Sequence, residues 1–281
     1  MASDSNIARH IRSVVGRGEK ALGIFLTSGF PDRASSLPLL QAIDAGGADF
    51  IELGMPFSDP LAEGLPIQYS SQVALSGGIT MQDTLQIAKD FRASSETPLI
   101  LMGYGNPILR YGVSNFFEDA RSSGVDGVIL PDVPPEEGSF FVQAAKSSGV
   151  DFISLIAPTT PSDRVTKIDE ISSGFVYAVS ITGITGADLG SKKPILDYLK
   201  HSKSLVKNNP LMVGFGIRTQ ADVVEMTQDA DGAIVGSALV SLVRRLWEDN
   251  SLSLAERLLE IQTFIHDLKT GTLNEPFENI D

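Results

Sequence analysis

Eight short apolar runs, rich in β-branched and aromatic residues, recur along the chain, and they constrain its fold more than any other feature. They lie at 22–26, 50–53, 99–102, 127–130, 152–156, 175–179, 211–214 and 233–235. Between them stand segments with apolar spacing of three and four, such as "SLPLLQAIDAGG", "MQDTLQIAKDF", "VSNFFEDARSSG" and "EGSFFVQAAKSSG", the period of amphipathic helices. Gly47, Gly124 and Gly149 stand where each of three helices has to stop before the next strand, as C-terminal caps do. Strands alternating with helices predict a parallel sheet with crossover helices, and eight such units predict closure into a single-domain α/β fold, the (β/α)8 TIM barrel. A doubly wound open sheet is the runner-up, but no GxGxxG follows the first strand. The whole chain, 1–281, reads as one domain with an N-terminal helix, a final amphipathic helix over 254–268 and a short acidic tail, "TGTLNEPFENID".

Charge and composition narrow the partners. The formal net charge is −13 and no basic stripe is visible, which argues against nucleic acid. No run approaches the roughly 18 apolar residues of a membrane span. The N-terminal "MASDSNIARHIRSVVGRGEK" lacks the apolar stretch of a secretory signal, so a cytoplasmic protein is expected. The acidic field also repels anionic substrates, so local backbone donors would have to hold one.

The chemistry narrows by subtraction. There is no cysteine, which removes disulfides and thiolates. His10, His201 and His266 all fall in helical segments, away from the strand ends where such barrels place their sites, so neither a histidine metal site nor a Ser/His pair is expected. No lysine ends a strand, and Lys192 and Lys193 lie in a polar loop, which disfavours Schiff-base chemistry. Carboxylates remain: Glu52 at the end of the second strand, Asp59 and Glu63 in the loop after it, and Asp132 after the fourth strand. Acid–base catalysis by carboxylates without a metal suits this inventory. Each has a plainer reading as well: a turn residue for Asp59, a helix cap or structural partner for Asp132, and a buried, paired carboxylate for Glu52. Glycine-rich loops after the last strands, "SITGITGADLG", "GFGIRT" and "VGSALV", place Gly214, Gly216, Gly236 and Ser237 where a barrel of this kind holds phosphate, though the glycines also suit tight turns.

Taken together, "FIELGMPFSDPLAEG", "LMGYGNPILRYG", "GVDGVILPDVPPEE", "GITG" and "GFGI" resemble the α subunit of tryptophan synthase, in order and spacing, over about 24–268. The resemblance implies a retro-aldol cleavage of indole-3-glycerol phosphate to indole and glyceraldehyde 3-phosphate, with no metal or cofactor in this chain. It also implies a partner β subunit carrying pyridoxal phosphate, in an αββα heterotetramer. By motif it puts the general acid/base on Glu52 and a tyrosine of the indole site on Tyr177, with Phe25, Leu101 and Phe215 as apolar walls. Phosphate positions fall on Gly186, Gly216, Gly236 and Ser237. Thr185 falls in a closing loop, and Asp132 near the subunit interface.

Two departures stand out. Glu63 occupies the place of the family's second carboxylate, an aspartate in "PLADGP", and Leu65 stands where proline is usual. The loop "SITGITG" lacks the arginine that some members place after its first serine. Three roles therefore follow from the resemblance: an active α subunit, a catalytically weakened subunit that mainly binds and activates a β subunit, or a stand-alone lyase. A different phosphate-sugar barrel enzyme is the outside alternative.

Overall fold

The eight apolar runs form strands β1 (Ala21–Thr27), β2 (Phe50–Gly54), β3 (Leu99–Met102), β4 (Gly127–Ile129), β5 (Asp151–Ile156), β6 (Val176–Val179), β7 (Leu211–Gly214) and β8 (Gly232–Val235). Each pairs in parallel with the next and β8 closes on β1, giving the expected (β/α)8 barrel. The structure, a computed structural model, describes residues 5–134, 136–179, 193–214 and 216–270. Its helices are α1 (Asn6–Gly16), α2 (Arg33–Ala45), α3 (Leu65–Ser76), α4 (Met81–Arg92), α5 (Gly105–Tyr111), α6 (Val113–Ser122), α7 (Ser139–Ser148), α8 (Ser162–Ile171), α9 (Lys193–Leu205), α10 (Gln220–Met226), α11 (Ser237–Glu248) and α12 (Leu254–Thr270). Gly47, Gly124 and Gly149 follow α2, α6 and α7 with positive φ, the conformation that ends a helix most cheaply when no Cβ is present. Among the described residues no helix is long and apolar enough to cross a membrane.

The sequence does not reveal which side chains fill the barrel, because its strands are apolar on both faces. Two rings settle it. Phe50 and Phe175 belong to opposite walls, yet their centroids lie 5.3 Å apart, so they meet through the barrel axis. Gly23 makes room for them: a Cβ there would sit 2.3 Å from Phe50 Cζ. With Phe50 and Phe175 inside, the two-residue alternation of a strand puts Glu52, Gly54 and Tyr177 inside as well. The registers carry the same parity round the ring, pairing Phe25 with Glu52, Glu52 with Ile100, Leu155 with Tyr177 and Tyr177 with Met212.

The N-terminal end of the barrel is closed and braced. Ile7 of α1 reaches under the strands, into space that a Cβ on Gly127 would block at 2.8 Å. Ser5 caps α1 by accepting the Ala8 N–H, and its hydroxyl donates to Asp151. Three aspartates that immediately precede β2, β4 and β8 repeat one device. Asp49 accepts the Leu22 N–H (2.6 Å) and Lys269 Nζ (2.6 Å). Asp126 accepts the Leu99 N–H (2.9 Å) and Arg92 (2.8 Å), and Asp231 accepts the Leu211 N–H (2.7 Å) and Lys203 Nζ (2.5 Å). Each carboxylate thus satisfies an orphan donor at the start of the neighbouring strand and ties it to a helix. Asp126→Ala is expected to cost about 2–4 kcal/mol, because it removes the charge partner of a half-buried guanidinium and leaves a strand N–H without its acceptor. A urea midpoint unchanged from wild type would show that water replaces both contacts.

Candidate active site

Glu52 sits one layer above the Phe50–Phe175 pair, on the wall opposite Tyr177. It is 1% exposed, and among the described residues neither carboxylate oxygen has a hydrogen-bond partner. An ionised carboxylate there would be costly, so burial, and then the charge of Glu63, push its pKa well above the ordinary 4.5. The shift favours the protonated form, so the group faces the lumen biased toward the acid. The plainer reading, a structurally paired carboxylate, does not fit a group with no partner.

Glu63 comes from the loop joining β2 to α3. The loop leaves the barrel, exposes Asp59 in a turn where Ser58 Oγ donates to it, then folds back at Pro60, whose carbonyl accepts the Glu63 N–H at 3.0 Å. That return leaves Glu63 only 6% exposed, and burial raises its pKa to about 7. The charges of Glu52 and Glu63 both act on buried Tyr177, raising its pKa further after burial. Two carboxyls from β2 and the loop after it thus share one electrostatic pocket with Tyr177 of the opposite wall. Both carboxyls are pushed toward the neutral acid, Glu52 by burial and then by the charge of Glu63, Glu63 by burial.

The apolar walls follow from strand parity. Phe25 pairs with Glu52, and its ring lies over Gly54, where a Cβ would come within 2.6 Å of Phe25 Cζ. Tyr177 likewise lies over Gly214, whose added Cβ would be 2.1 Å from the hydroxyl. Leu101 is a correction. It pairs with Leu53, on the face turned to the helices, whereas Ile100 and Met102 pair with Glu52 and Gly54. The lumen-facing residues of β3 are therefore Ile100 and Met102. Ile129, in register with Met102, and half-buried Leu155, in register with Tyr177, complete the wall.

An anion has a place at the same end. Gly236 precedes α11 and offers no side-chain cap, so the first N–H groups of a 12-residue helix, beginning at Ser237, are left without one. A Cβ on Gly236 would lie 3.3 Å from Phe25 Cβ, which sets this helix end against the apolar wall. The preceding helix differs: Thr219 and Asp222 form a capping box that already occupies the start of α10. Gly216, exposed and at φ +77°, lies in the loop between β7 and α10. Thr185, Gly186 and Phe215 fall outside the described residues. Asp132, at the rim, accepts the Gly105 N–H with both oxygens (3.0 and 3.2 Å) and so caps α5.

A barrel with these features has close counterparts. The family model for the tryptophan synthase alpha chain matches residues 12–269. The tryptophan synthase alpha chain of Geotalea uraniireducens is 43% identical over 267 residues, covering 95% of this chain and 97% of the relative. This chain belongs to the tryptophan synthase alpha chain family. A second member, from Burkholderia multivorans, is 40% identical over 268 residues, covering 95% and 96% of the two chains. Among solved structures, a crystal structure of tryptophan synthase from M. tuberculosis in its aminoacrylate-bound form matches with a TM-score of 0.82 and 31% identity, over 94% of this chain and 99% of that one. Tryptophan synthase alpha chains are thus its relatives along nearly the full length, strand ends and glycine-rich loops included.

Proposed function

We propose that this chain is an active α subunit of tryptophan synthase, a lyase that cleaves indole-3-glycerol phosphate to indole and glyceraldehyde 3-phosphate. The observation that carries the reading is Glu52: a buried, unpartnered acid facing the lumen, beside a second buried carboxyl whose pKa is raised to about 7. The substrate's phosphate docks on the open N-terminus of α11 through Gly236 and Ser237, with Gly216 and Gly186 letting the backbone come close. The indole ring lies between Phe25, Tyr177 and the β3 wall, with Phe215 and Thr185 assigned by motif. Glu52 donates its proton to the ring carbon that is released. The carbon–carbon bond then breaks as the glycerol hydroxyl loses its proton to the Glu52 carboxylate, and that oxygen becomes the aldehyde. Ionised Glu63 accepts the ring N–H as positive charge gathers there. This chemistry calls for no metal or cofactor of the chain's own.

The partner in this proposal is a pyridoxal-phosphate-bearing β subunit, in an αββα complex in the cytoplasm. Exposed apolar side chains on the mouth of the barrel support docking there: Leu61, in the loop that carries Glu63, and Leu65, the first residue of α3, are 78% and 71% exposed, and Leu109 of α5 lies on the same end. Asp132 stands on that rim.

The test is steady-state release of indole from indole-3-glycerol phosphate, with and without β subunit. No turnover under either condition would leave only the binding role, and full activity without β subunit would favour a stand-alone lyase. Glu63→Asp is expected to keep or raise kcat, because the shorter acid is the family's own choice. A loss of about a hundredfold, the scale of a 1 Å misplacement, would mean that the loop is built around the longer side chain.

A further inference from the structure

The loop that brings Glu63 back into the barrel is held by Tyr104, the residue that precedes α5. The Ala62 N–H donates to the Tyr104 hydroxyl at 3.0 Å, immediately before Glu63. The Tyr104 ring stacks on Phe57 in the first half of the same loop, with centroids 4.9 Å apart and planes inclined by 27°. On the other side of Glu63, Gln68 Nε2 donates to the Glu63 carbonyl at 2.8 Å. Tyr104 is itself fixed, since the next residue's N–H is bound by Asp132. With the ring 7% exposed, both contacts sit where water competes poorly.

We propose that Tyr104 is a positioning residue for Glu63: its hydroxyl and ring together clamp the β2–α3 loop so that the Glu63 carboxylate stays inside the lumen. This inference rests on the assignment of Glu63 to the substrate ring nitrogen. It also gives Asp132 a use at a distance, because the β4 rim reaches Glu63 through Gly105, Tyr104 and Ala62. A phenol that accepts an amide N–H keeps its own proton to give, and the Glu63 charge is felt at this hydroxyl.

Tyr104→Phe tests the clamp, since it keeps the stacking surface and removes only the hydroxyl. Two measurements are made on the full chain. The first follows the Glu63 carboxyl by carbon-13 NMR, assigned against Glu63→Gln. Its titration midpoint is expected to fall from about 7 toward 4.5 as the loop loosens and the carboxylate reaches water. The second is a double-mutant cycle on indole release. Tyr104→Phe should lower kcat about 10–100-fold with a smaller change in KM, and should cost almost nothing further in the Glu63→Gln background. An unmoved Glu63 titration, or an equal loss of kcat in both backgrounds, overturns the inference. The NMR measurement decides the positioning role even if the wild-type chain releases no indole, so the two readings fail separately.

Discussion

Glu52→Gln is expected to lower indole release by about 10²–10⁴-fold while leaving the fold more stable than wild type at pH 8. The two effects have one cause. Glu52 is buried without a partner, and its native pKa lies well above the 4.5 of an unfolded chain. Below pH 4.5 both states are protonated and ionisation contributes nothing to the difference. As the pH rises past 4.5 the unfolded chain gives up its proton while the native protein keeps it. Unfolding then releases a proton, and stability falls by up to about 1.4 kcal/mol per pH unit until the native acid titrates too. Glutamine has no such proton, so the decline attributable to position 52 disappears. A decline between 4.5 and about 7 remains, from Glu63. Urea midpoints from pH 4 to 9 for both proteins check the slope, and the indole assay checks the rate. Parallel midpoint curves, or near-normal turnover in the variant, would remove Glu52 from the proton's path.

Ser237→Asp separates binding from stability in the opposite way. Ser237 is the exposed first residue of α11, whose N-terminus has no side-chain cap. A negative charge there favours the helix, by about 0.3–1 kcal/mol through the macrodipole. The same charge repels a phosphate seated on those N–H groups. At a few ångströms and an effective dielectric near 20 the repulsion is on the order of 3 kcal/mol, which corresponds to about a hundredfold rise in KM. Added salt should soften the effect, because the site is open to solvent. A thermal midpoint that rises while KM worsens cannot be blamed on unfolding. An unchanged KM would place the phosphate elsewhere.

What could be read from the residues alone, and what could not, divides along physical lines. The eight strands, the barrel and the helix-ending glycines were legible because periodicity and punctuation are local signals. Boundaries moved by a residue or two, as in β4, which stops at Ile129, and α12, which runs to Thr270. Glu52 and Glu63 were legible as acids at a strand end and in its loop, and burial of Glu52 was legible from its strand, but burial of Glu63 was not, because it depends on the loop folding back at Pro60. Leu101 shows the limit most plainly. In "LILM" every position is apolar, so nothing in the run says which side chains face inward, and a one-residue slip exchanges the two faces. Only the register with β2 resolves it. Tyr104 went unnoticed for a related reason: its partners, Ala62 and Asp132, are 42 and 27 residues away from it or its neighbour.

The braced floor beneath β1, β3 and β7 has a consequence for how this protein tolerates change. The carboxylates that anchor strands to helices, and the plug made by α1, lie at the opposite pole from Glu52. Rebuilding the loops that choose a substrate therefore leaves the girders untouched. A designer who wished to graft a new activity onto this scaffold would do well to begin at its mouth and never at its foundations.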